Sequence, residues 1–193
     1  TLENWAPYSN FSGMIFGDNE DITLNFTNGS QTFIDNLTGV VKDLIFTGEV
    51  TGGGFVANTV SQSGTIESTG VVSNVTVDVR YVDGRYAPSV VYDGMNGGGS
   101  YYLGAIAGQN YGLIKNSNAF GVELSGNVNN TTFVGGVVGR LYGEINNCGV
   151  EFYKFKNEQD KVVSNQFLGT YFGGLVGASE TNSGSVPRIS NSY

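Results

Sequence analysis

Residues 103–116 read Leu103-Gly104-Ala105-Ile106-Ala107-Gly108-Gln109-Asn110-Tyr111-Gly112-Leu113-Ile114-Lys115-Asn116. A short apolar run ends in Gly108 and a tight linker ends in Gly112. An aliphatic residue, Ile114, then precedes Asn116 by two places. The order recurs from Val134 to Asn147, marked by Gly139, Gly143, Ile145 and Asn147, and from Phe172 to Asn191, marked by Gly177, Gly184, Ile189 and Asn191. Two fainter copies come earlier. Phe33-Ile34-Asp35 leads to Gly39-Val40-Val41-Lys42-Asp43, and Phe55-Val56-Ala57 leads to Gly64-Thr65-Ile66-Glu67-Ser68. A short strand, a glycine turn and another short strand cannot bury an apolar face alone. Stacked on their equivalents at ~4.8 Å, they can. The phrase therefore predicts an all-β fold, a β-solenoid resembling a parallel β-helix, with about six coils. Val41, Ile66, Ile114, Ile145 and Ile189 would form an inner aliphatic column. Asp43, Ser68, Asn116, Asn147 and Asn191 would form a polar ladder of the kind in which stacked amides bond along the column. A β-sandwich with glycine-rich turns is the alternative.

Composition agrees with strands. Thirty Gly and three Pro accompany 39% hydrophobic and 12% aromatic residues, which is too apolar for a disordered glycine-rich linker. Only 13% of residues are charged, so Asn, Ser, Thr and Gly must cover the surface. A net charge of −8 argues against nucleic acid as a partner. No apolar run approaches the ~20 residues of a membrane-spanning helix, so no membrane insertion is expected. The chain starts at Thr1 without a signal peptide and reads as a processed or excised segment. It has no His, and Cys148 is its single cysteine, so internal disulfides and Cys/His zinc sites are excluded.

Outward from the repeat, the chain divides in two. Residues 1–32 do not show the phrase and read as an N-terminal cap or assembly segment, with an aromatic and aliphatic cluster at Trp5, Phe11, Met14, Ile15 and Phe16. Residues 33–193 read as the repeat array with lateral insertions at about 76–102 and 151–166. In the first insertion, Val75 to Val82, Asp83-Gly84 and Arg85 to Tyr92 read as a projecting hairpin. In the second, Lys154, Lys156, Glu158, Asp160 and Lys161 suggest a solvated hairpin or loop.

The stretches from Tyr102, Val134 and Phe172 resemble the GLUG-motif repeat of large secreted and surface-attached microbial proteins, many of them adhesin-like. The resemblance is strong for three copies, weak for the two earlier ones and absent from residues 1–32. It implies a β-helical stalk in an extracellular, cell-surface setting and brings no catalytic residue set.

Candidate sites follow from residue type. Asp78, Arg80, Tyr81, Arg85, Tyr86 and Tyr92 gather in the predicted arm, where Tyr and Arg suit a contact surface for a partner or a glycan. Asp78 with Asp83 is also the carboxylate pair a β-helical polysaccharide lyase or glycosidase would need. Asn-X-Ser/Thr triplets begin at Asn10, Asn25, Asn28, Asn36, Asn74, Asn129 and Asn130, which permits N-glycosylation. Asp18, Glu20 and Asp21 form an acidic turn whose spacing matches no calcium loop. Cys148 follows a ladder Asn and reads as a buried thiol. No catalytic residue, cofactor or metal is expected. The expected role is that of a structural building block of an extracellular fibre, stalk or adhesin. Its partners would be copies of itself, or further repeats of a longer chain, with glycans as another class. The last copy stops at Ser190-Asn191-Ser192-Tyr193 where others run into another strand, which predicts an open edge able to pair head to tail with the N-terminal segment. A carbohydrate-binding module and a polysaccharide-cleaving enzyme are the rival readings.

Overall fold

The computed structural model describes residues 1–18, 22–61, 70–78, 89–91, 100–126, 131–151, 154–157, 170–183 and 185–193. Within them lie 22 strands and no helix. The chain makes successive passes. The first holds β1 (Leu2–Glu3), β2 (Tyr8–Phe11), β3 (Met14–Phe16) and β4 (Thr23–Thr27), and the second β5 (Ile34–Leu37) and β6 (Val40–Thr51). The third holds β7 (Ala57–Val60), β8 (Val71–Asp78) and β9 (Ser89–Val91). The fourth holds β10 (Tyr101–Leu103), β11 (Ala107–Asn110), β12 (Leu113–Lys115), β13 (Asn118–Phe120) and β14 (Glu123–Gly126). The fifth holds β15 (Thr132–Gly135), β16 (Val138–Leu141), β17 (Glu144–Asn146), β18 (Gly149–Glu151) and β19 (Lys154–Asn157). The sixth holds β20 (Thr170–Gly173), β21 (Val176–Ser179) and β22 (Arg188–Ser190).

The strands form three hydrogen-bonded sheets. A six-stranded sheet runs β2-β5-β7-β11-β16-β21 and a three-stranded one β10-β15-β20, while a 13-stranded sheet carries the path β19-β14-β9-β6-β8-β12-β17-β22. The pairings between these strands are parallel, so equivalent residues of adjacent passes meet. Ile114 and Ile145 are direct partners. The same row continues from Ile145 to Ile189 in one direction, and through Val72 and Val41 to Ile15 in the other.

The third pass differs from expectation by six residues. Val72, not Ile66, partners Val41 and Ile114. Asn74, not Ser68, stands opposite Asp43, between the Lys42–Ser73 and Leu44–Val75 partners. Gly70, not Gly64, stacks between Gly39 and Gly112: Val71 donates its N–H to the Gly39 oxygen and Leu113 to that of Gly70. Gly64, Ile66 and Ser68 lie outside the described residues. The column needs glycine because the backbones touch. A Cβ on Gly143 would collide with the Gly112 carbonyl oxygen, one on Gly112 with that of Gly70, and one on Gly70 with that of Leu37.

The polar ladder marks a bend. Asp43, Asn74, Asn116, Asn147 and Asn191 all adopt φ between 50° and 57°. Asn and Asp enter this left-handed region more readily than other side-chain-bearing residues. Asn74 Nδ2 donates to Asp43 Oδ1 at 2.9 Å and Asn147 Nδ2 to Asn116 Oδ1 at 3.0 Å. At the far end the pattern slips, since Asn191 Nδ2 donates to Asn146 Oδ1 at 3.4 Å instead of Asn147.

Neither terminal nor inserted segments stand apart where they are described. β2 pairs with β5, and β3 and β4 pair with β6, so these three strands form a pass in register with the rest. Gly13-Met14-Ile15-Phe16-Gly17 is a copy of the phrase with Gly in place of Asn or Asp at the bend. Trp5 does pack, with ring centroids 5.4 Å from both Tyr8 and Phe33, but Met14 and Phe16 are 57% and 49% exposed. Of the expected hairpin strand Val75 to Val82, the described part, 75–78, belongs to β8, and the turn at Asp83-Gly84 lies outside the described residues. β8 pairs with β6, β12 and β13 inside the stack. Ser89–Val91 pairs in parallel with β6 and β14, and Lys154–Asn157 in parallel with β14. In both segments two-residue alternation signals a strand, but it carries no information about which strand lies beside it.

The core is continuous from Phe26, Phe46 and Phe55 through Val41, Val72, Ile114 and Ile145 to Leu141 and Cys148. Ile145 is fully buried whereas Ile189, in the same row, is 50% exposed. Ile145→Ala should therefore destabilise the protein by about 2–5 kcal/mol, and Ile189→Ala by well under half as much. Urea denaturation of the two variants checks this, and equal losses would contradict the row as described.

Candidate functional site: an aromatic stack and its groove

Of the residues expected to form a contact arm, only Asp78 is described. It is fully buried and so cannot present itself to a glycan, a polysaccharide chain or a partner. Arg80, Tyr81, Asp83, Arg85, Tyr86 and Tyr92 lie outside the described residues, as do Glu20, Asp21, Asn129 and Asn130. Among the other sequons, Asn10 is exposed and Asn25 partly buried. Asn28, Asn36 and Asn74 use the nitrogen a glycan would join in hydrogen bonds to Glu3, Asn10 and Asp43. Among the described residues no group of three or more His, Cys, Asp or Glu could hold a metal.

Cys148 is 1% exposed, with Sγ 3.5 Å from the Asn146 oxygen and 3.6 Å from that of Ile114. Burial pushes its thiol up from the usual range. The thiolate is the reactive form, so Cys148 should react with a thiol reagent at pH 8 only as fast as the protein unfolds. Labelling followed by mass spectrometry checks this, and rapid labelling of the native chain would contradict it.

Sequence reading missed a different assembly, built by the register itself. Tyr102 of β10 partners Phe133 of β15, which partners Tyr171 of β20. Their rings stack, with centroids 5.4 Å and 4.7 Å apart and planes within 15° and 6°. A second stack, Tyr111 on Tyr142, has centroids 4.3 Å apart and planes within 7°. Arg140 of β16 lies between the two stacks. Its guanidinium carbon is 5.5, 5.1 and 5.2 Å from the ring centroids of Tyr102, Phe133 and Tyr142. It donates to the Tyr102 hydroxyl at 2.9 Å and pairs with Glu180. Burial works to lower the Arg140 pKa, but Glu180, Tyr102 and Tyr142 outweigh it and the net shift is upward. Arg140 is thus committed to its neighbours as a clasp across passes.

The same packing holds the Tyr142 phenol protonated. Burial, reinforced by Tyr111, pushes its pKa up to about 12. An unfolded tyrosine ionises near ~10. The folded state binds that proton more tightly, so this contribution is complete below pH ~10 and is lost as pH rises toward about 12. Stability should fall across that window, and Tyr142→Phe should flatten the fall. Denaturation midpoints between pH 9 and 12 check the sign.

The aromatic column stops at Tyr102. Counting back from the Ala57–Ala107 pair, its place in the third pass is held by Gly52. Below the ring lies an open groove of about 350 Å³ lined by Tyr102, Gly52, Gly53, Asp35, Asn58 and Gln109, among others. Its polar wall is braced: Asn58 Nδ2 donates to Asp35 Oδ1 at 2.8 Å, and Asn58 Oδ1 accepts the Gly53 N–H at 2.6 Å. In the strand register, Asp35 and Asn58 stand where the fourth, fifth and sixth passes have Gly108, Gly139 and Gly177. Passes with a ring carry glycine there, and passes without a ring carry a polar side chain.

No protein-family model matches the chain, and no curated protein matches it in sequence. Among solved structures, a "putative immunoglobulin A1 protease" from Bacteroides ovatus is similar at 16% identity with a TM-score of 0.36, over 86% of this chain and 68% of that one.

Proposed function

We propose that the chain is a β-solenoid of about six coils acting as a structural building block of an extracellular fibre, stalk or adhesin, with no chemistry of its own. Parallel pairing of equivalent residues pass after pass supports this architecture over a sandwich, whose sheets are built from antiparallel pairs. The GLUG-like stretches at Tyr102, Val134 and Phe172 support the extracellular setting.

One observation carries the reading: both ends of the stack expose large apolar side chains. At one end Tyr171, Phe172 and Ile189 are 52%, 45% and 50% exposed, and at the other Tyr8, Met14 and Phe16 are 49%, 57% and 49% exposed. Ile15 begins the row that Ile189 closes, and Tyr8 begins the row that Val176 closes. A second copy set on this end would continue these two rows with apolar residues and pair the outer edges of β21 and β22, while the rows of Met14 and Phe16 close instead at Arg188 and Ser190. Such a contact is heterologous, so repetition gives a filament.

Purified protein should form end-to-end oligomers that lengthen with concentration in sedimentation velocity and negative-stain images. Ile189→Asp should reduce them to monomers while circular dichroism stays unchanged. Wild-type protein that stays monomeric at the highest soluble concentration would count decisively against the self-assembling form of this reading.

A further inference from the structure

We propose that the groove beneath Tyr102 binds a neutral saccharide, one pyranose ring lying against the tyrosine and its hydroxyls meeting Asp35, Asn58 and Gln109. One side of the Tyr102 ring is already occupied by Phe133, and the neighbour in register on the opposite side is Gly52, which lines the groove together with Tyr102. The ring's position is set twice, by that stack and by the Arg140 hydrogen bond to its hydroxyl at 2.9 Å. An immobilised aromatic face offers contact area at low entropic cost.

The polar side of the groove selects the ligand class. Asn58 is held between Asp35 and the Gly53 N–H, so the amide and carboxylate are in place before anything binds. Asp35 supplies acceptors, while the Asn58 and Gln109 amides supply both donors and acceptors, a mixture that suits vicinal hydroxyls. Anions are disfavoured. Asp35 adds negative charge, the chain carries −8, and the nearby cation Arg140 is paired with Glu180. The volume, about 350 Å³, lies at the small end of the ~300–1,000 Å³ range of small-molecule sites and suits one or two sugar rings.

Glycine makes the space. Any side chain at Gly52 would be strained at φ 153°, and its Cβ would lie 2.8 Å from Asn58 Oδ1. The vacancy below Tyr102 is therefore bound up with the polar wall beside it. This site is separate from the stack ends, so it stands or falls apart from self-assembly.

The test is calorimetric titration of the whole chain with gluco-, manno- and galacto-configured neutral tetraoses, with a sulfated tetraose as the anionic comparison. At least one neutral probe should bind, the sulfated one more weakly. Tyr102→Ala should weaken binding by about tenfold or more, and Tyr102→Phe should retain most of it. Asp35→Ala, an exposed change that leaves the aromatic stack intact, should also weaken binding by severalfold, which guards against misfolding of the Tyr102→Ala variant. Absence of binding by every neutral probe, or equal binding by wild type and Asp35→Ala, would overturn the proposal. So would a preference for the sulfated probe.

Discussion

Everything in this molecule depends on parallel pairing in register, which sets each residue against its counterpart one pass away. Parallel hydrogen bonds are evenly spaced along a strand and favour no alignment strongly by themselves. Alignment comes instead from side chains and from glycine. A shift by one residue would turn Ile114 and Ile145 out of the core and drive side chains into the carbonyls now lodged against Gly112 and Gly143. The aliphatic row gains from being aligned and the glycine column loses from being misaligned, so both act toward the same arrangement.

The same constraint generates the surface. Because equivalent residues meet, any residue type repeated at one position becomes a stack, whether amide, aliphatic or aromatic. Tyr102, Phe133 and Tyr171 form a column for the same reason that Asn116 and Asn147 do. Where the repetition lapses, as at Gly52, the column ends and leaves a cleft. Features specific to one place in such a molecule arise at breaks in the pattern.

Legibility in the sequence followed this logic. All-β character, the Ile114–Ile145 row and the Asn bends were readable because the phrase is nearly complete in the later passes. The third pass misled because Gly64-Thr65-Ile66 and Gly70-Val71-Val72 both satisfy a glycine-then-aliphatic pattern. Only the Asn two places after Val72 separates them. Residues 75–78 misled differently, since their alternation ahead of Asp83-Gly84 is a hairpin signal in isolation, whereas Val71–Asp78 has parallel neighbours on both sides. The groove was not readable at all. It depends on Asp35, Asn58 and Tyr102, separated by 23 and 44 positions in sequence, and on a glycine whose importance lies in what is missing.

Parallel pairing also fixes how the molecule would answer to force. From Gly112 to Gly143 the chain runs 31 residues, yet those two glycines are neighbours in adjacent passes, ~4.8 Å apart along the stack. Fully drawn out, that length of chain reaches about 100 Å. Tension along the stack axis pulls on the inter-pass hydrogen bonds along their own direction, so yielding would proceed one pass at a time from an exposed end. Each step would release about twentyfold more contour than it consumes, so the array holds a reserve of slack.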